Sequence, residues 1–149
     1  MPYKNAVAGR VSLPGQVYHI TMCTHQRQPF FACWKAGRIL VHTLKDLQQQ
    51  QLANSLAWVI MPDHLHWLMQ LGESHDLSST LQLCKGRSAR AINLHLNRQG
   101  RLWQKGLNET TIRKDEDLRM VARYIVANPL RAQLVNKLGD YPLWDAVWL

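Results

Sequence analysis

The chain has 149 residues, enough for one domain that buries its own core without disulfides or a structural metal. Its apolar share of 46% and charged share of 19% are those of an ordinary globular protein, and no apolar run approaches the ~20 residues that span a bilayer. Eighteen Lys and Arg against ten Asp and Glu leave a net charge of +8, which suits a nucleic acid through counterion release, although acidic proteins and lipid surfaces attract basic chains too.

Residues 1–14 read as a basic arm that ends in the turn residues Pro14-Gly15. Residues 17–24 (VYHITMCT) are rich in β-branched and aromatic types and predict a strand with Val17, His19, Thr21 and Cys23 on one face. The polar stretch 25–29 breaks it. Over 35–52, Ile39, Leu40, Leu44 and Leu47 recur at helical spacing. Residues 56–61 (LAWVIM) and 64–71 (HLHWLMQL) predict two strands paired as a hairpin across Pro62-Asp63.

Asp76 is placed to cap a second helix running to about Leu96. Leu77, Leu81, Cys84, Ser88 and Ile92 form its inner stripe, and Lys85, Arg87 and Arg90 its outer face. After Arg98-Gln99-Gly100, the run Leu102-Trp103-Gln104 opens a connection, and 110–113 predicts a short strand. Asp115, Glu116 and Asp117 put negative charge at the start of a third helix, as its dipole favours. Its apolar stripe is Leu118, Val121, Ala122 and Ile125. A tail over 130–149 follows, with Trp144 and Trp148 packing back. The order strand, helix, strand, strand, helix, strand, helix predicts a single α+β domain over 1–149. It is a ferredoxin-like split βαβ sandwich: an antiparallel sheet with helices on one face and an extra C-terminal helix.

Two groups of residues could carry chemistry. His64 and His66 alternate with Leu65 along a strand, so both imidazoles share a face and can share one ion, or lie hydrogen-bonded at a sheet surface. Tyr124 and Asn128, four apart on the third helix, are neighbours at the flank of its apolar stripe. The tyrosine is either an amphipathic packing residue or a hydroxyl aimed into a cleft. Asn128, just before Pro129, is either a cap for a following short helix or a ligand. The basic residues Arg10, Lys85, Arg87, Arg90, Arg98 and Arg101, with Trp103 among them, suit phosphate contact with base stacking, and equally a solvated surface. Cys23, Cys33 and Cys84 are odd in number and lack paired ligand spacing, which predicts free thiols in a reducing compartment. The segment MPYKNAVAGR carries no signal-peptide stretch, so a cytoplasmic location is expected.

Together, Met61-Pro62-Asp63-His64-Leu65-His66 and the later Arg123-Tyr124-Ile125-Val126-Ala127-Asn128-Pro129-Leu130-Arg131-Ala132 resemble the REP-associated tyrosine transposases, relatives of the single-strand insertion-sequence transposases among the His-hydrophobic-His (HUH) endonucleases. The likeness extends from Pro14-Gly15-Gln16-Val17-Tyr18-His19 through Lys85-Gly86-Arg87-Ser88 and Leu102-Trp103-Gln104 to Trp144-Asp145-Ala146-Val147-Trp148. It implies a divalent ion, Mg2+ or Mn2+, on His64 and His66, with Asn128 as third, amide ligand. Tyr124 then attacks a phosphodiester to leave a 5′-phosphotyrosine link and a free 3′-hydroxyl, and Arg131 joins the DNA-contacting residues. The implied substrates are bacterial palindromic repeats that fold into hairpins beside a short tetranucleotide, met in the nucleoid. Relatives work as dimers that exchange active-site helices or as monomers acting in cis, and a monomer is expected here. Where relatives often carry Asp-His after the Trp-Gln segment, this chain has Glu109-Thr110.

The mechanism needs such groups because a free tyrosine, with pKa near 10, is a poor nucleophile at neutral pH. A metal at the phosphate neutralises charge and stabilises the leaving oxygen. The covalent link preserves the phosphodiester's energy, so rejoining needs no nucleoside triphosphate, in keeping with a chain that has no P-loop. Two imidazoles favour Mn, Zn, Ni or Cu, whereas phosphate and amide oxygens suit Mg or Mn, and Mn2+ is expected to be at least as active as Mg2+.

Overall fold

The computed structural model describes residues 13–106, 108–112 and 117–148, with backbone alone for 108–111. Alternation along the strands sets its layers. β1 (Val17–Cys23) and β2 (Ala53–Met61) flank β3 (His64–Leu71), each antiparallel to it. Tyr18, Ile20 and Met22 of β1, Trp58 and Ile60 of β2, and Leu65, Trp67 and Met69 of β3 all point to one face. There they meet Leu40, Leu44 and Leu47 of α1 (Trp34–Gln49) and Leu81, Cys84 and Ile92 of α2 (Leu77–Leu96) in the main core. Burying each large side chain of this kind stabilises the fold by roughly 1.5–3 kcal/mol.

The residues in between face the other way. Ala57, Val59 and Met61 of β2 and Leu68 of β3 form a second, smaller core with Ala122, Ile125 and Val126 of α3 (Leu118–Val126). Two edge strands complete the sheet in the order β4-β1-β3-β2-β5, where β4 is Asn108–Ile112 and β5 is Trp144–Ala146. The first four strands have the ferredoxin-like order expected from the sequence. α1 and α2 cover one face, and the additional helix α3 covers part of the other.

Local signals explain most boundaries. The Asp76 carboxylate accepts from the Ser79 N–H at 2.8 Å, and Asn97 ends α2 in the left-handed conformation. Asp117 caps α3 by accepting from the Arg119 N–H. Asp115 and Glu116, also assigned to that start, lie outside the described residues, as do residues 1–12 of the basic arm. The Pro14-Gly15 turn is present, with Gly15 at φ 81°.

Several features differ from the sequence reading, among them the start of β2, which begins at Ala53 and not Leu56. α1 stops at Gln49, and Gln51 takes a positive φ of 61°, so Leu52 leads into β2 instead of extending the helix. β4 begins at Asn108, ahead of the expected residue 110, and Arg113 falls outside the described residues. The tail is more ordered than a packed-back segment. It holds the short helix α4 (Asn128–Arg131) and β5, which pairs Ala146 with Ala57 and Trp144 with Val59. Leu143 precedes β5 and lies against Gly37 of α1, where a Cβ would stand 2.5 Å from Leu143 Cδ1, so glycine permits this approach. Among the described residues no helix is long and apolar enough to cross a membrane.

Candidate active site

His64 and His66 emerge on the α3 side of the sheet, since their neighbours Leu65 and Trp67 are committed to the main core. Their ring centroids are 4.9 Å apart and the planes nearly perpendicular, at 87°. Each ring is held through the same nitrogen. His64 Nδ1 lies 2.7 Å from Asp63 Oδ1, and His66 Nδ1 lies 3.1 Å from both His19 Nε2 and Thr21 Oγ1. With Nδ1–H donated to a partner, the lone pair of each ring is on Nε2, the arrangement that a metal-binding imidazole requires.

These outer partners come from β1 and from the turn before β3. β1 pairs with β3 so that Thr21 lies opposite His66 and Cys23 opposite His64. Thr21 and Cys23 therefore share the histidines' face, and His19 continues it, its ring centroid 5.2 Å from that of His66. Asp63 is held in turn by Arg27, whose Nε donates to Oδ2 at 2.9 Å. Gln26 and Arg27 both adopt left-handed backbone (φ 55° and 54°), a conformation that costs non-glycine residues energy. The turn that results carries the Arg27 guanidinium back to Asp63.

Burial favours the neutral form of His66 and His19. Burial first, then the charges of His64, His19 and Arg131, push the His66 pKa from 6.5 to about 3. Burial lowers that of His19 as well. The Asp63 carboxyl is raised by burial, but hydrogen bonds from His64 and Arg27 outweigh this and hold it below its ordinary value. A neutral His66 can accept a cation without first losing a proton.

Among the described residues no group of three or more His, Cys, Asp or Glu side chains could hold a metal ion. A divalent ion at His64 and His66 could take further donors from an amide oxygen, water or a phosphate. The donor set fits such an ion, because among the described residues neither Nε2 atom has a hydrogen-bond partner and both rings are braced from behind.

The second group lies on α3 and α4. Tyr124 is 62% exposed, on the flank of a helix whose inner face is Ala122, Ile125 and Val126. Arg131 stacks on it, with the guanidinium carbon 3.9 Å from the ring centroid and Nη2 donating to the Tyr124 carbonyl at 2.6 Å. The same arginine's charge is felt at His66, so it lies within electrostatic reach of that ring. Asn128 does not cap α4, whose first turn has no side-chain cap. Its Nδ2 instead donates to the Ile125 carbonyl at 2.7 Å, which leaves Oδ1 as the atom available to a ligand.

The remaining basic residues are not gathered at this site. Lys85 donates to the carbonyls of Gln104 and Gly106 at 3.2 and 2.7 Å, tying down the loop after Trp103. Arg87 bonds Gln50, and Arg98 bonds Asn93 while its guanidinium lies over Phe30. Arg90 and Arg101 are exposed. Lys85, Arg87 and Arg90 are on α2, across the sheet from His64 and His66. Arg10 lies outside the described residues. Trp103 must be reassigned: it is 4% exposed, packed on Phe31, with Nε1 donating to Ser88 Oγ at 3.0 Å, so its ring is core and closed to a base.

His19, Thr21, Asp63 and Arg27 did not stand out as site residues in the sequence. The period-2 alternation that placed His19 and Thr21 on one face could have paired them with His66, had the β1–β3 register been known. The side chain of Thr110 is outside the description, but its backbone pairs with that of His19.

The family model described as "Transposase IS200 like" matches residues 12–128. The REP-associated tyrosine transposase of Escherichia coli is 28% identical over 106 residues, which cover 70% of this chain and 61% of that protein. A Haemophilus influenzae protein that carries the same name provisionally is 34% identical over 98 residues, covering 59% of this chain and 56% of that one. This chain thus spans less than two thirds of either relative's length. A solved REP-associated tyrosine transposase bound to a REP hairpin shares the fold, with a TM-score of 0.76 at 23% identity, over 97% of this chain and 82% of that one.

Proposed function

The chain belongs to the IS200-like transposase family, and from that premise we propose that it cuts and rejoins single-stranded DNA at hairpin-forming repeats, using Tyr124 as nucleophile. The single observation that carries this reading is the pair of imidazoles, His64 and His66, each bound at Nδ1 and open at Nε2, on the sheet face that α3 covers.

In the reaction the Tyr124 hydroxyl oxygen attacks the scissile phosphorus while the bond to the 3′-oxygen breaks. The phenolic proton is lost to solvent, and the departing 3′-oxygen ends as a hydroxyl, so the DNA is left joined through its 5′-phosphate to the tyrosine. Reversal with another 3′-hydroxyl rejoins a strand without an external energy source. His64, His66 and the Asn128 oxygen would hold a divalent ion, Mg2+ or Mn2+, which when bound offsets phosphate charge and stabilises the leaving oxygen. Asp63 and His19 hold the two rings in the ligating tautomer. Arg131 stacks on the tyrosine and would present a guanidinium to the phosphate.

The proposed substrate is a hairpin with a short single-stranded flank. It draws support from the REP hairpin held by the solved structure of the same fold and from the chain's +8 charge. Wild-type protein incubated with such an oligonucleotide and Mn2+ should give an SDS-stable protein–DNA adduct that is absent in Tyr124→Phe. An adduct that persists in that variant overturns the nucleophile assignment. Cleavage surviving Tyr124→Phe but lost in His64→Ala points to a hydrolase using water. Salt-sensitive binding with neither adduct nor cut strand reduces the protein to a hairpin-binding module.

A further inference from the structure

We propose that the cleft between α3 and β5 is a second DNA-contact site, taking one nucleotide of the single-stranded flank beside the hairpin; it rests on the DNA-cleaving reading above. The cleft has a volume of about 250 Å³ and is lined by Arg119, Ala122, Arg123, Val126, Ala146 and Trp148. Its floor is apolar, since Ala122, Val126 and Ala146 belong to the second core. Its rim is cationic and aromatic. Arg119 and Arg123 are four apart on α3 and therefore side by side, and Trp148 is 36% exposed.

Neither guanidinium has an ion pair among the described residues, where both ion pairs involve Asp63. Two cations beside an open indole over a small apolar floor match a base with its phosphate: the ring stacks and the phosphate pairs with arginine. A duplex is too wide for this volume. An acidic peptide would satisfy the arginines but make no use of the indole.

The location fits the same strand. Arg123 and Tyr124 are consecutive, so they project about 100° apart around α3, one toward the cleft and the other toward Arg131. The helix is only ~10–12 Å across with its side chains, so DNA bonded to Tyr124 can cross it within a few nucleotides. The cleft would thus grip the flank on one side of α3 while chemistry proceeds on the other.

The test places 5-iodouracil at successive positions along the flank and the stem of a hairpin oligonucleotide and photocrosslinks it to the wild-type protein. One flank position should crosslink to Trp148, identified by mass spectrometry. In Arg119→Ala/Arg123→Ala, two exposed positions, the preference for flanked over bare hairpin should fall about tenfold, as expected for losing a stacked, paired nucleotide. The salt slope for flanked DNA should shrink by about 0.7, the share of one single-strand phosphate. Trp148→Phe should retain more of the preference than Trp148→Ala. If wild type forms the Tyr124 adduct while Trp148 takes no flank crosslink and the arginine variant keeps its preference, the cleft proposal is overturned and the cleavage reading stands. Crosslinks to Trp148 from the stem alone also overturn it. So does a variant altered only in self-association, which would make the cleft an interface between copies. If wild type neither binds the hairpin nor forms the adduct, the cleavage reading falls and takes this one with it.

Discussion

Asp63 and His64 are adjacent in sequence and bonded to each other, Oδ1 to Nδ1 at 2.7 Å, while the other carboxylate oxygen is held by Arg27. A strand residue rarely reaches its own neighbour's ring in this way. It does so here because Asp63 sits in the turn before β3, where the chain has not yet adopted the alternation that would send the two side chains to opposite faces. The contact selects the His64 tautomer with a free Nε2. Asp63→Ala should therefore weaken Mn2+ binding by ~10–100-fold, the usual cost of losing an outer partner of a ligating histidine. Titration by calorimetry or by the Mn2+ electron-spin signal measures it directly. Asp63→Asn, which can still accept from Nδ1, should recover part of the loss. Arg27→Ala should cost less than either, because the carboxylate keeps its bond to His64. Unchanged affinity in Asp63→Ala would show that His64 needs no such brace.

The buried imidazoles predict an acid limb in the stability of the metal-free protein. Folding depresses the His66 pKa from 6.5 to about 3, and burial depresses that of His19 too. The unfolded chain then binds protons that the folded chain refuses, so stability is fully present above about pH 6.5 and drains as pH falls toward 3. The urea midpoint should fall between pH 7 and pH 4, before the Asp63 carboxyl begins to contribute below its ordinary value of 3.8. His19→Gln/His66→Gln should flatten this limb. Mn2+ should raise the midpoint at pH 7, and by less at pH 5, where protons compete for the same nitrogens.

Most of the scaffold was legible because its signals are local. Alternation along β1 and β3 placed His19, Thr21, His64 and His66 on a shared side of their strands, and Asp76 announced α2. What escaped depends on partners distant in the chain. β5 has only three residues, too few to show a period, and exists because β2, some ninety positions earlier, offers it an edge. Trp103 looked like a stacking platform among basic residues. Its burial is decided by Ser88 and Phe31, which come from other segments. The basic residues were adjacent in composition, but sequence could not show that α2 turns Lys85, Arg87 and Arg90 to the far side of the sheet.

Trp103 tests that distinction. Trp103→Ala should destabilise the fold by roughly 3–5 kcal/mol, the cost of emptying a large aromatic site. Trp103→Phe should cost roughly 1–3 kcal/mol by leaving the Ser88 hydroxyl without its donor. At temperatures where Trp103→Phe stays folded, its DNA affinity and salt slope should match wild type. A selective loss of DNA binding in a fully folded Trp103→Phe would restore the residue to the interface.

Arg131 is the residue whose removal should separate chemistry from binding. Its guanidinium carbon lies over the Tyr124 ring, 3.9 Å from the centroid, and Nη2 also donates to that residue's carbonyl, so its place is set twice. On the proposed reaction, a cation there adds a donor for the phosphate that Tyr124 would attack. Arg131→Ala should slow adduct formation by ~100-fold or more, comparable with losing one preorganised donor to a developing negative charge. Arg131→Lys keeps the charge but not the plane or the fork of donors, and should recover only a small part of the rate. Hairpin affinity should change by no more than one phosphate contact is worth, a salt-slope change near 0.7–0.9. A parallel fall in affinity and rate would instead make Arg131 a simple DNA anchor.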